Sequence, residues 1–156
     1  GPGEVQRMSA GRGIRHSEVN PSPNEATHLL QIWVEPRAPD MEPSYEQQVL
    51  APGGDVWRLV ASPDGAEGSV TIHADARLYA GLFDAGESAQ FQPEPGRLGY
   101  LHVAQGSVRL NGQTLVAGDG ARIADEAQLT IEGVAGGEVL LFGRISGTAH
   151  VVGDLG

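Results

Sequence analysis

Cysteine is absent from the sequence, and its absence excludes disulfide bonds, thiolate metal sites and a cysteine nucleophile. It also suits a reducing cytoplasm, which is the compartment we expect. Basic residues are few, because ten Lys and Arg oppose twenty Asp and Glu and leave a formal net charge of −10. Since no run of Lys or Arg offers a phosphate-binding surface, we expect no direct nucleic-acid partner and no anionic membrane partner.

Long apolar stretches are missing as well. No run approaches the ~18 residues of a membrane span, and the first residues lack the basic, apolar and small-residue order of a signal peptide. By contrast, 23 glycines and 10 prolines are scattered between short apolar segments and are not gathered in one tract. That distribution is typical of short strands joined by turns, and it predicts a soluble, all-β protein.

Alternation of apolar and polar residues predicts the individual strands. The strongest local signal is Asn111-Gly112, which tolerates positive φ at both central positions of a type I′ turn and predicts a β-hairpin. From about Gln47 onward the pattern predicts a β-sandwich or barrel without a metal site. Its strands are predicted at residues 56–60, 69–73, 77–83, 100–104, 107–110, 113–116, 121–123, 128–132 and 138–142.

The first part of the chain has a different sequence pattern. Residues 27–34 read as one strand, and the three prolines of residues 35–43 indicate an extended connector. We place a boundary near residue 46, which divides the chain into units 1–46 and 47–156. Two or three strands cannot close a barrel, so we expect the first unit to be incomplete.

His16 and Glu18 form the one spacing that suggests chemistry. We expect both on one strand, where they would share a face about 6.5–7 Å apart along the chain and point into a cavity of the partial first barrel. Imidazole with carboxylate is a ligand set that Fe(II), Ni(II), Cu(II), Mn(II) and Zn(II) accept. The pair alone is a weak signal, because a His-x-Glu spacing also arises by chance on a surface. Three glycines, Gly3, Gly11 and Gly13, precede the pair in the sequence. Glycines are expected where a chain turns sharply or another backbone packs closely.

The stretch from Gly3 to Asn20 resembles the second conserved motif of cupins in the form found in the pirin family. The resemblance continues through residues 28–33 (HLLQIW) and 43–47 (PSYEQ), and more diffusely through residues 59–65 and 138–142. It implies a bicupin of double-stranded β-helix barrels. Residues 1–46 would then be the second half of an N-terminal metal-binding cupin with its connector, and residues 47–156 a complete C-terminal cupin.

In pirins the N-terminal barrel holds a metal, commonly iron, through a His-x-His pair and a His-x-Glu pair. The resemblance therefore implies that His16 and Glu18 are metal ligands, with Fe(II) as the expected ion and Ni, Cu, Mn or Zn as alternatives. The His-x-His pair is missing, since the sequence begins after the point where it should occur. With two ligands only, a site that holds no metal tightly is a further alternative.

Two functions follow from the resemblance. Several pirin-like proteins are similar to quercetin 2,3-dioxygenase, which opens the ring of quercetin-type flavonols with molecular oxygen at a mononuclear metal. For this activity Glu18 is the candidate base that accepts the substrate hydroxyl proton. The alternative is a non-enzymatic, metal- or redox-responsive module that binds a protein partner. We expect little quercetinase activity unless a second copy supplies the missing ligands.

The remaining candidates receive structural interpretations. We expect His28 in the interior, with a supporting contact to a metal ligand as the alternative. His73 and His102 are expected as structural residues of the second barrel, and His150 at the surface near the C-terminus. Both tryptophans, Trp33 and Trp57, are expected in core or inter-domain packing.

An apolar face is the last expectation. Leu30, Ile32 and Val34, supported by Met8 and Ile14, should form a surface that is costly to leave exposed. We expect it either to dock on the chain's own second barrel or to pair with another copy, in a homodimer that brings two His16/Glu18 pairs together.

Overall fold

The computed structural model describes residues 3–20, 22–50, 55–145 and 149–152, with side chains described up to residue 143. The described chain is almost entirely β, and this confirms the predicted fold class. Its one helical element is a single 3₁₀ turn at Ala66–Gly68, and no described helix is long and apolar enough to cross a membrane. The strands are β1 (Glu4–Ser9), β2 (Gln31–Val34), β3 (Ser44–Val49), β4 (Trp57–Ser62), β5 (Val70–Thr71), β6 (Arg77–Phe83), β7 (Ser88–Phe91), β8 (Leu98–Leu110), β9 (Gln113–Val116), β10 (Gly120–Ile123), β11 (Leu129–Ile145) and β12 (Ala149–Val152).

Eight strands form one large sheet in the second part of the chain, where a cupin barrel was expected. Its strand order is β10-β8-β11-β6-β4-β5, with β7 also paired to β11 and β9 to β8. The pairs are antiparallel except β4 with β5, which run parallel. Two small antiparallel sheets stand beside it, β1 with β3 and β2 with β12.

The predicted hairpin joins β8 to β9. Leu110 pairs with Gln113 across the turn, and Asn111 and Gly112 both have positive φ, at 46° and 85°. The side-chain oxygen of Asn111 accepts the amide of Thr130 at 2.8 Å, so the turn is also tied to β11. The type I′ interpretation of Asn-Gly is confirmed by these angles and this register.

Alternate residues of β8 and β11 belong to two different cores. Leu101, Val103, Val139 and Leu141 point into the barrel, where they are buried. The interior is completed by Phe83, Val108, Leu110, Leu115, Ile123, Leu129 and Ile131. Because β11 is buried on both faces, residues 139–142 are apolar in succession instead of alternating.

The second core lies on the outer face of the barrel. Leu140 and Phe142 of β11 are buried there together with Val60, Ala61, Val70 and Leu78. Leu30 and Ile32 from the first part of the chain pack against this cluster, as do Val5 and Leu50. The expectation that Leu30 and Ile32 dock on the chain's own second barrel is therefore confirmed, whereas Ile14 remains 42% exposed.

The first part of the chain differs from prediction in its strand bounds. The strand predicted at 27–34 begins only at Gln31, and its partner is β12. Trp33 is 65% exposed, so its predicted packing role is wrong. Trp57 does pack as predicted, edge-on to Phe83 and Phe91 with ring centroids 5.5 and 5.6 Å away. The boundary near residue 46 stays a prediction, and that position falls within β3.

Candidate metal centre

His16 and Glu18 lie in a segment without regular secondary structure. The chain leaves β1 at Ser9, turns at Ala10–Gly13 and then runs through residues 14–20 with every side chain exposed. The prediction that the pair lies on a strand and points into a cavity is wrong. The physical reason is that none of the described strands pairs with this segment, and a strand needs a neighbour for its backbone hydrogen bonds.

The turn before the pair is held against the connector. The amide of Gly13 donates to the carbonyl of Ala10 at 2.8 Å, and Arg12 forms an ion pair with Glu42. Gly11 has φ 51°, and a β-carbon there would lie 1.9 Å from the carbonyl oxygen of Met41. Glycine is required because only a residue without a side chain allows this approach.

A second hydrogen-bonded turn follows the pair. The side-chain amide of Asn20 donates to the carbonyl of Glu25 at 2.7 Å, and the oxygen of the same side chain accepts the amide of Ser22 at 3.0 Å. The hydroxyl of Ser22 accepts the amide of Glu25 at 3.1 Å. Residues 14–19 therefore connect two hydrogen-bonded turns.

The donor chemistry of the pair fits a divalent transition metal, although it supplies only part of a coordination shell. An imidazole nitrogen and a carboxylate oxygen suit the ions expected from the sequence. Within the described ranges, no group of three or more His, Cys, Asp or Glu side chains is arranged to hold a metal. His16 and Glu18 could thus hold such an ion only with additional ligands, from water, substrate or another polypeptide segment.

The other histidines occupy varied positions. His28 is exposed, and its Nδ1 lies 3.0 Å from the side-chain nitrogen of Gln105, so the predicted interior position is wrong. His73 is half-buried, and its carbonyl accepts the amide of Arg37 at 2.9 Å. His102 is half-buried on β8, where burial lowers its pKa below the ordinary value. The side chain of His150 lies outside the described residues.

Two cavities border the second barrel in its described part. One is a cavity of about 10 Å³, lined by Phe91, Leu129 and Phe142 among others. A cleft of about 400 Å³ lies where β3 ends beside β4, lined by Val49 and Trp57 among others. Neither is lined by His16 or Glu18, so the candidate centre is separate from both.

One group of polar residues was missed at the sequence level. Arg7 and Glu46 lie directly opposite each other on β1 and β3, with Nη2 of Arg7 3.2 Å from Oε2 of Glu46. The available signal was a charged residue between the apolar Val5 and Met8 of a strand. Such a residue needs a partner when its strand is partly buried.

Comparisons with known proteins place the chain among cupins of one kind. The family described as Quercetinase C-terminal cupin domain matches residues 59–143, and the family described as Pirin matches residues 1–34. The chain is 42% identical over 141 residues to a quercetin 2,3-dioxygenase of Escherichia coli K12, covering 90% of this chain and 60% of that protein. It is 39% identical over 142 residues to a pirin-like protein of Caulobacter vibrioides, covering 89% of this chain and 61% of that one.

A solved structure gives the same result. The crystal structure of bacterial pirin YhhW from Escherichia coli, in complex with nickel(II), superimposes with a TM-score of 0.82 at 42% identity. The match covers 91% of this chain and 61% of that one. The chain thus spans about 60% of the length of each of these relatives.

Proposed function

The chain belongs to the pirin family, and we propose that it contributes His16 and Glu18 to a divalent-metal centre of the quercetin 2,3-dioxygenase type, with a flavonol as substrate. The observation that carries the proposal is the His16-Ser17-Glu18 sequence, which lies within the segment that the Pirin family matches. A relative of 42% identity whose structure contains nickel(II) supports a divalent transition metal. Fe(II) and Ni(II) are therefore the first ions to test, followed by Cu(II), Mn(II) and Zn(II).

Each residue has a separate role in this proposal. His16 would bind the ion through a neutral ring nitrogen, and Glu18 would bind it through a carboxylate oxygen. Glu18 would also accept the proton of the substrate hydroxyl, since a carboxylate beside the substrate is a suitable base. A bound metal would supply Lewis acidity at the flavonol oxygens.

The exposure of His16 and Glu18 to solvent favours a second candidate function. His16 and Glu18 are both exposed, and neither described cavity contains them. A reaction centre usually excludes water and encloses its substrate, whereas a metal-responsive surface for a protein partner does not need to. The alternative is therefore a non-enzymatic module in which metal binding at His16 and Glu18 changes the surface presented to a partner.

The test begins with Ni(II) alone. Calorimetric titration of the protein should show one binding event that His16→Ala and Glu18→Gln each weaken by more than about tenfold, the smallest loss typical of residues that support a metal site. His28→Ala is the matched control, because His28 is also exposed. Equal affinities in all four proteins would show that the ion does not bind at the proposed pair.

Turnover separates the two functions. The protein loaded with Fe(II) or Ni(II) is mixed with quercetin in aerated buffer, and quercetin absorbance and dissolved oxygen are followed together. Equal consumption of both, abolished in His16→Ala, supports the dioxygenase. Metal binding without any consumption favours the binding module.

A further inference from the structure

The guanidinium of Arg7 connects the two strands of the first small sheet. Its Nη1 donates to the hydroxyl of Ser9 at 3.1 Å and to that of Ser44, and its Nη2 donates to Glu46 at 3.2 Å. The Arg7 side chain is only 13% exposed. Its Nε is buried and has no partner among the described residues, so the two terminal nitrogens carry the anchoring.

Glu46 extends this connection to the second barrel. Its Oε2 accepts the backbone amide of Thr71 at 3.0 Å, and Thr71 ends β5, the edge strand of the large sheet. A carboxylate thus occupies the place of a missing strand at the sheet edge. The Thr71 amide is the main reason that the pKa of Glu46 is held below its ordinary value, and Arg7 adds to the effect.

The same strands lead directly to the candidate ligands. β1 ends at Ser9, and the turn that follows packs through Gly11 on the carbonyl of Met41, just before β3. Arg12 and Glu42, the next residue along each segment, form an ion pair beside this contact. The position of β1 relative to β3 therefore sets where the chain enters residues 14–19.

From these contacts we infer that Arg7 is a positioning residue for His16 and Glu18. By fixing β1 to Ser44 and Glu46, and through Glu46 to the amide of Thr71, it sets the direction in which the ligand segment leaves the sheet. Arg7 does not itself bind metal or substrate. The inference rests on the proposed metal-binding function, but the placement of residues 14–19 can be measured without any metal.

Two measurements test it on the whole chain. The first is the set of backbone amide chemical shifts of residues 14–20 in the metal-free protein, and the second is the affinity for Ni(II). Arg7→Met should change these chemical shifts and weaken Ni(II) binding about tenfold, as the loss of a supporting residue does in known metal sites. Arg7→Lys should recover part of the affinity, since it retains the charge but not the fork geometry.

Arg109→Met is the matched control. Arg109 donates to Glu132 at 3.0 Å within the second barrel, so the same substitution removes an ion pair that does not contact β1. It should leave both readouts unchanged. If Arg7→Met does not fold, Glu46→Gln takes its place, because it keeps an oxygen for Thr71 while losing the charge that faces Arg7.

The outcomes are distinct. The positioning role is overturned if Arg7→Met leaves the amide chemical shifts of residues 14–20 unchanged. It is also overturned if these shifts change while the affinity for Ni(II) does not. If the wild-type protein binds no Ni(II) but the amides of residues 14–20 still move in Arg7→Met, the proposed metal site fails and the structural coupling stands.

Discussion

The backbone amide of Thr71 donates to Oε2 of Glu46 over 3.0 Å, so a side chain from the first small sheet completes the hydrogen bonding of an edge strand in the barrel. The same oxygen accepts from Arg7. The two parts of the chain are therefore joined by a carboxylate that must be ionised to accept both donors fully.

Glu46→Gln should make the stability less dependent on acid pH. The pKa of Glu46 is lowered in the folded state, chiefly by the Thr71 amide. Its ionised form therefore stabilises the fold above the ordinary carboxyl pKa, and this contribution is lost as the pH falls through the folded pKa. At pH 7 the substitution should lower the free energy of unfolding by about 1 kcal/mol, a charged hydrogen bond reduced by solvent screening. The difference should narrow below about pH 4.5.

Urea denaturation at pH 7, 5 and 3.5 measures this difference. Glu132→Gln is the control, because its ion pair with Arg109 is about 42% exposed and lies within the barrel. A gap between wild type and Glu46→Gln that stays constant from pH 7 to pH 3.5 would contradict the assigned role of the carboxylate.

Ile32→Ala should weaken the docking of the first part of the chain on the barrel. Ile32 packs on the outer core of the barrel and is partly buried, so its truncation should cost about 1–2 kcal/mol, less than a fully buried isoleucine. Trp33, its neighbour on β2, is 65% exposed. Trp33→Ala should change stability by no more than about 0.5 kcal/mol despite removing more atoms. Similar losses for the two variants would show that the docking contributes nothing.

The second barrel could be predicted because short stretches of its sequence encode its strands and turns. Alternation locates the strands, and Asn111-Gly112 fixes both a turn and a register. β6 has the bounds that were predicted, Arg77–Phe83. Residues 16–18 and 27–30 were also expected on strands but do not form them, because the backbone of a strand must also have a neighbour. No local pattern records whether one is present.

The contacts of the two strands β1 and β3 were harder to predict, because they join residues that are far apart in the sequence. The Arg7–Glu46 pair joins residues 39 positions apart, and the Glu46–Thr71 contact spans 25. Spacing in the sequence identified His16 and Glu18 as a pair of donors, because that requires only two neighbouring positions. It could not show that their segment is exposed and held between two turns.

Gly11→Ala should disturb the turn that precedes the ligand segment. Both Gly11 and Gly96 have positive φ, at 51° and 73°, so alanine carries backbone strain at either position. Of these two positions, a β-carbon at Gly11 would collide with the carbonyl of Met41, whereas one at Gly96 would meet no atom within 4 Å. Gly11→Ala should therefore lower the free energy of unfolding by at least about 1 kcal/mol more than Gly96→Ala does, since overpacking adds to the strain. Chemical denaturation of the two variants measures this difference, and equal losses would exclude the close contact.

A shared metal site between two copies is the remaining prediction from the sequence. One copy offers two protein ligands, and two copies joined at their exposed pairs would offer two imidazoles and two carboxylates to one ion.

Sedimentation velocity should then show a dimer with Fe(II) under anaerobic conditions and a monomer after chelation, with half an ion bound per chain. Zn(II) should give the same dimer, because ligand geometry and not redox change drives the association. His16→Ala should abolish the dimer while His28→Ala preserves it, since both side chains are exposed but only His16 has Glu18 at ligand spacing. A sedimentation coefficient that is the same with and without metal, or a dimer that survives His16→Ala, would rule out the shared site.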